Sequence, residues 1–181
     1  MSLAPIDSTL LRLAFGAFVT GVTIITTRTA SGEPVGLTVN SFNAVSLSPP
    51  LALWSLSRGA ASFDAFVQAS HFVVHVLAAD QIALSQRFSR TGGDKFAGLP
   101  WRKALADMPL LNGTAASFVC RNAERFPGGD HMIFVGEILS FERSERAPLV
   151  YASGKYARLY EDAIAPPEGG DCAGTEAADS R

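Results

Sequence analysis

Apolar side chains recur at Leu10, Leu11, Ala14, Phe15 and Phe18, just after Ser8. That spacing predicts an amphipathic helix with Ser8 as its N-cap, stopping near Gly21. The pattern then changes period. Val22–Thr27 is β-branched throughout and predicts a strand. Ser31-Gly32 and Pro34 mark a hairpin turn within Thr29–Gly36. Leu37–Leu47 reads as a second strand that becomes irregular. Pro49-Pro50 lacks backbone donors, so no central ladder is expected to run through it. Leu51–Leu56 predicts a third strand and Ser57–Ala69 a helix with Phe63, Phe66 and Val67 on one face.

His71–Leu77 continues as a strand and Ala79–Phe88 as a helix. Thr91–Trp101 is a loop rich in glycine, and residues 102–113 read as a connection or short strand. Two long strands are expected at Ala115–Glu124 and Met132–Arg143, separated by a turn containing PGGD. Pro148–Leu159 is strand-like but broken by Gly154. The sum is six or seven strands and three helices. Strand follows strand more often than helix, so the expected class is mainly β. The expected form is a closed antiparallel barrel with peripheral helices.

The length of 181 residues suits one domain, taken here as residues 1–160. Residues 161–181 hold six acidic side chains and one base, a net −5, which leaves +3 of the total −2 on residues 1–160. This acidic tail has almost no large apolar side chains and is expected to be disordered. The mildly positive body suits a small anionic ligand, and the absence of a basic run argues against nucleic acid. The two cysteines, Cys120 and Cys172, do not suggest a disulfide framework. The start of the chain has no signal-peptide pattern and no run reaches membrane-spanning length. A cytoplasmic location is expected, with no membrane.

Candidate chemistry concentrates between Gly36 and Phe63. Thr38 and Asn40 are expected on one strand face, with Leu37 and Val39 on the other. Ser41, Asn43, Ser46 and Ser48 follow, then Ser55, Ser57 and Ser62. Short hydroxyls and amides on a rigid sheet suit a flat heteroaromatic ligand, and a helix start near Ser57 and Ser62 suits a phosphate. By residue type alone, these side chains read first as ordinary turn and strand-edge residues. No GxGxxG, Walker or GxSxG sequence is present. His71 and His75 have no neighbouring ligands at metal spacing, so no metal site is expected and His75 reads as a core or interface residue. His131 follows PGGD and is expected at a loop mouth. Arg87 and Arg90 read either as phosphate contacts or as solvated side chains.

Five segments occur in a telling order: GVTIITT (Gly21–Thr27), GLTVNSFNAVSLSPPLALWSL (Gly36–Leu56), DKF (Asp94–Phe96), GDHMIFVGEI (Gly129–Ile138) and PLVYASGKYARL (Pro148–Leu159). Together they resemble the flavin reductase family over about residues 8–160. The resemblance implies an FMN-binding type of split antiparallel β-barrel, a homodimer, FMN or FAD, and NADH or NADPH as electron donor. It also implies a possible partner monooxygenase reached through free reduced flavin. By the same resemblance, Thr38, Val39, Asn40 and Ser41, with Ser46 and Leu47, would line the isoalloxazine and ribityl chain. Ser55, Leu56, Ser57, Ser62 and Phe63 would take the ribityl and phosphate end. His131 would stand where the nicotinamide stacks, as the catalytic side chain, and Tyr156 would border the pocket. Related readings are a reductase of another acceptor, such as a cobalt(II) corrinoid, and a flavin- or haem-binding module without turnover.

Overall fold

A computed structural model describes residues 6–159 of the chain. The expected tail and Cys172 lie outside the described residues. In chain order the elements are α1 (Ser8–Gly16), β1 (Thr20–Gly21), β2 (Thr23–Arg28), β3 (Pro34–Val39), β4 (Asn43–Leu47) and β5 (Pro50–Ser57). Then come α2 (Phe63–Gln68), β6 (His71–Val76), α3 (Ile82–Ser89), β7 (Trp101–Lys103) and a 3-10 turn (Leu105–Asp107). The last are β8 (Pro109–Leu111), β9 (Ala116–Gly128), β10 (His131–Arg143), β11 (Val150–Ala152) and β12 (Lys155–Ala157).

Seven strands form one antiparallel sheet in the order β3-β2-β6-β9-β10-β5-β4. Its two edge strands, β3 and β4, are consecutive in the chain and joined only by Asn40–Phe42. So short a link obliges the sheet to curl until its edges approach. The barrel is closed by covalent continuity, not by a ladder between β3 and β4, which is what makes it split. The single irregular strand expected over Leu37–Leu47 is thus two strands on opposite edges. Pro50 opens β5 beside the β4–β5 turn, paired with Leu47, where its missing donor costs no central ladder bond.

Alternation decides what faces inward. Ile25, Trp54, Leu56, Phe66, Phe72, Val74, Cys120 and Phe134 form the barrel core. Trp54 stacks on Phe134 at 4.6 Å and meets Phe66 and Phe72 edge-on. Each such buried side chain contributes roughly 1.5–3 kcal/mol. A second cluster, with Val22, Ile24, Leu77, Phe88, Phe96, Leu111 and Leu149, packs outside the barrel beneath α3. β2 is buried on both faces because α3 and β8 cover the side away from the core. Its hydroxyls are therefore satisfied internally: Thr26 Oγ1 donates to Pro109 O at 2.6 Å and Thr27 Oγ1 to His71 O at 2.8 Å.

The helix boundaries differ from the sequence expectation. Asp7, not Ser8, caps α1, its carboxylate accepting from the amides of Thr9 and Leu10. α1 ends at Gly16, because the chain turns to pair Thr20 with Tyr151. α2 begins at Phe63, since Ser57 still belongs to the β5 ladder and Arg58–Ser62 forms the turn. Its expected face is confirmed: Phe66 is buried, with Phe63 and Val67 packed on the same core. The Pro148–Leu159 segment is a hairpin turning at Ser153-Gly154, where both residues take positive φ.

Candidate functional site

β3 divides its side chains as its alternation requires. Leu37 and Val39 pack on the barrel core, whereas Gly36 and Thr38 face α3. A Cβ on Gly36 would lie 2.7 Å from Phe88 Cε1, so glycine lets α3 sit directly on the strand. Thr38 Oγ1 donates to the Ser85 carbonyl at 2.7 Å, and the Ser85 hydroxyl lies 3.0 Å from the Tyr156 hydroxyl. Ser85 is fully buried. It joins β3, α3 and the β11–β12 hairpin in one polar contact. A lone serine inside a helix carries no sequence signal for such a role.

A cleft of about 820 Å³ opens between β3, Ala60–Ala65 and the loop Ser89–Phe96. It brings together Thr38 and Ser62 from the expected set with Arg90 and Lys95. Lys95 Nζ donates to Phe88 O at 2.9 Å and Gly36 O at 3.2 Å. Partial burial lowers its pKa, while the two carbonyls hold the ammonium in place. Arg87 donates to Ala97 O, which fastens the base of the loop. Arg87 is thus structural, and Arg90 is the arginine lining the cleft. Glu33 and Asp94 also line it, but Asp94 spends one carboxylate oxygen on the amides of Phe96 and Ala97.

The opposite wall supplies amides. Among the described residues, the N–H groups of Ala61, Ser62 and Ala65 have no backbone acceptor. Those at the α2 start are free because no preceding helical turn exists to receive them. Free amides beside an ammonium and a guanidinium form a donor set that fits a phosphate.

The remaining expected residues lie elsewhere. Ser55 and Ser57 are half-buried on the face of β5 away from the core, and His131 stands directly across the ladder from Ser57. The His131 Nδ1 lies 2.7 Å from Asp130 Oδ1. This hydrogen bond holds the Asp130 carboxyl below its usual range. Arg58 N donates to Asp130 O at 2.9 Å, so the His131 mouth is tied to the segment that becomes the cleft wall. Ser41 Oγ donates to Ser55 O and accepts from Ser55 N, pinning the β3–β4 link against β5. Ser46 Oγ accepts from Ser48 N and Ser57 Oγ from Gly59 N.

Asn40 is exposed, and Leu47 is 95% exposed at the rim of β4. Val39, Leu56 and Phe63 turn their side chains to the core, so only their backbone is available to a ligand. Tyr156 is engaged with Ser85. The structure therefore gathers two zones: the cleft with Thr38 and Ser62, and the outer face with Ser55, Ser57 and His131. The segment Ser57–Ser62 joins them.

His75 belongs to neither zone. It is fully buried, with Nδ1 3.0 Å from Ile24 O and Nε2 accepting from Leu111 N at 3.0 Å. Both ring nitrogens are engaged within the protein, which removes it as a metal or haem ligand.

Residues 15–160 match the family model described as a flavin reductase like domain. The chain is 46% identical over 148 residues to an Agrobacterium fabrum protein called FMN reductase (NADH) SmoA, covering 82% of this chain and 84% of the relative. It is 41% identical over 146 residues to the reductase component of a flavin-dependent trigonelline monooxygenase from Acinetobacter baylyi. That match covers 81% of this chain but 47% of the relative, so the chain spans about half the length of that protein. Among solved structures it superposes on the Streptomyces globisporus NADH:FAD oxidoreductase SgcE6, in complex with NAD and FAD fragments, with a TM-score of 0.83 and 34% identity. The superposition covers 90% of this chain and 99% of that one. The barrel, the ordered motifs and these matches agree: the chain belongs to the flavin reductase family.

Proposed function

We propose that the chain is an NAD(P)H-dependent flavin reductase that uses FMN or FAD. The observation that carries this reading is the match along nearly the whole described length to a relative called FMN reductase (NADH). The residues present fit a flavin phosphate, since the cleft offers unpaired amides together with Arg90 and Lys95. When bound, the flavin supplies the hydride acceptor and the reduced nicotinamide the donor.

The chain's own work is alignment. The amides of Ala61, Ser62 and Ala65 would anchor the phosphate, with Lys95 fixing that wall through its two carbonyl bonds. Backbone groups of Thr38–Ser41 and Ser55–Ser57 would hold the ring edge and ribityl chain. His131, oriented by Asp130, would place the nicotinamide. Holding two rings in contact accounts for much of the rate in such a transfer, because the entropy of alignment is lost on binding.

The same reading includes a homodimer. α1 buries none of its residues, and Leu10, Leu13, Phe15 and Phe18 stay more than half exposed. So much exposed apolar surface suits a second copy of the chain, which would also shield the outer face of β5 from water. The reading also includes a partner monooxygenase, supported by the relative that is itself a reductase component. Among the described residues no helix is long and apolar enough to cross a membrane. A cytoplasmic location goes with the use of reduced nicotinamide.

The test is NADH oxidation by purified protein with and without added FMN or FAD, alongside its mass in solution. Flavin-dependent turnover is expected. NADH consumption indifferent to flavin, or none at all with either flavin, sinks the reading.

A further inference from the structure

The cleft wall that runs from Arg58 to Ala69 is held at both ends. At its start Arg58 N donates to Asp130 O at 2.9 Å. At its end stand Asn122 and Arg125 of β9. Asn122 Nδ2 donates to Phe66 O at 3.1 Å and to Ala69 O at 3.0 Å. Arg125 Nη2 donates to Ala69 O at 3.1 Å, and Asn122 N to Ser70 O at 2.8 Å. The last carbonyls of a helix have no partner within it, and a cation at that end is favoured by the helix dipole. Neither side chain lines the cleft itself.

Asn122 and Arg125 are three residues apart, and on a regular strand they would point to opposite faces. β9 is not regular there. Gly136 pairs with Asn122 and Val135 with Glu124, which leaves Ala123 without a partner across that ladder. This bulge gives the two side chains a common direction, so both reach the same end of α2. Bulges often re-aim a side chain beside a functional site. The arrangement also carries a cost. Asn122 Oδ1 and Arg125 Nε are buried without a hydrogen-bond partner, which lowers stability. A bulge and two orphaned polar atoms are poor means of stabilising a barrel, and they point to a task in placing α2.

α2 has only six residues, and Phe66 at its middle meets Trp54 with ring centroids 5.0 Å apart. Its two ends therefore move together. Ala69 N donates to Ala65 O at 3.0 Å, so a hold on Ala69 O is carried directly to Ala65. It sets where the amides of Ser62 and Ala65 stand relative to Arg90 and Lys95. Hydrogen bonds weaken steeply when donor and acceptor are misaligned. We propose that Asn122 and Arg125 are positioning residues for the flavin phosphate, clamping the far end of α2 so that its wall meets the phosphate at bonding distance. The proposal rests on the flavin reductase reading.

The experiment compares wild type, Asn122→Ala, Arg125→Met and Arg125→Lys by equilibrium titration of FMN and riboflavin, without NADH. The two ligands differ only in the phosphate. Wild type is expected to bind FMN more tightly than riboflavin. Asn122→Ala and Arg125→Met are expected to lower that preference by about threefold to tenfold, the range that one hydrogen bond spans, while riboflavin affinity holds. Arg125→Lys keeps a charged donor at this place and is expected to keep the preference. Met preserves the apolar stem of Arg125, so Arg125→Met reads the ratio even where Asn122→Ala does not fold. Equal loss of both ligands assigns the clamp to stability alone and overturns the proposal, as does an unchanged preference in Arg125→Met. Wild type binding FMN and riboflavin alike overturns it together with the phosphate wall. Flavin-dependent NADH oxidation by wild type tests the reductase reading separately and keeps it intact in each of these cases.

Discussion

His75 Nε2 accepts the backbone N–H of Leu111 at 3.0 Å, while its Nδ1–H is directed at Ile24 O. One neutral imidazole thus joins β6, β8 and β2, and the geometry requires Nε2 to be unprotonated. Burial lowers its pKa from 6.5 to about 4. Above about pH 6.5 neither the native nor the unfolded chain is protonated here, and the stabilisation is complete. As pH falls toward 4, only the unfolded chain takes up the proton, so the native state loses stability. The expected loss is about 3 kcal/mol, levelling off below pH 4. Urea titrations from pH 7 to pH 4 read it, and His75→Gln should flatten the dependence. A wild-type profile no steeper than that of the variant removes this assignment.

His131 sits across from Ser57 with its imidazole held by Asp130. His131→Ala is expected to lower kcat/KM for NADH by about tenfold, the effect of losing one hydrogen bond that positions the nicotinamide. Flavin affinity measured without NADH should change far less. Steady-state kinetics at several NADH concentrations check this, and unchanged KM and turnover exclude the role.

Gly36 allows α3 to lie against β3. Its replacement by alanine would put Cβ 2.7 Å from Phe88 Cε1 and 3.3 Å from Ile25 O. Phe88 is fully buried, its ring packed edge-on against Phe96. Gly36→Ala should therefore cost about 1–3 kcal/mol. It should also weaken flavin binding, because α3 carries Ser85, which holds Thr38. Thermal unfolding and flavin titration test the pair of effects.

Tyr156→Phe separates a structural tyrosine from a ligand-binding one. The hydroxyl meets Ser85 inside the protein, so its loss should cost about 1 kcal/mol and leave flavin affinity unchanged. A selective fall in flavin affinity at unchanged stability would return Tyr156 to the cofactor site.

Burial pushes the Cys120 thiol up to about 12. At neutral pH it stays protonated and enclosed by the barrel core, so native protein should leave it unalkylated while unfolded protein reacts. Peptide mapping after iodoacetamide treatment distinguishes this site from Cys172.

Local pattern was enough for a good part of this protein. The β-branched run of β2, the apolar strands β6, β9 and β10, and the inward face of α2 all follow from side-chain period alone. So does the parity of β3, with Thr38 opposite in direction to Leu37 and Val39. These are properties of neighbouring residues, and the chain carries them wherever it is placed. The ordered segments from Gly21 to Leu159 likewise identified the family without any coordinates. Closure is different. That β3 and β4 occupy opposite edges, that His131 faces Ser57, and that Ser85 meets both Thr38 and Tyr156 depend on which distant strands pair. Pairing is decided by the whole sheet curling to satisfy the short Asn40–Phe42 link while keeping Trp54 and its neighbours inside. The same long-range condition sends most of the expected hydroxyls into structural hydrogen bonds. It leaves Ser62, Lys95 and the free amides of Ala61, Ser62 and Ala65 to shape the cleft beside Thr38, whose hydroxyl is itself tied to Ser85.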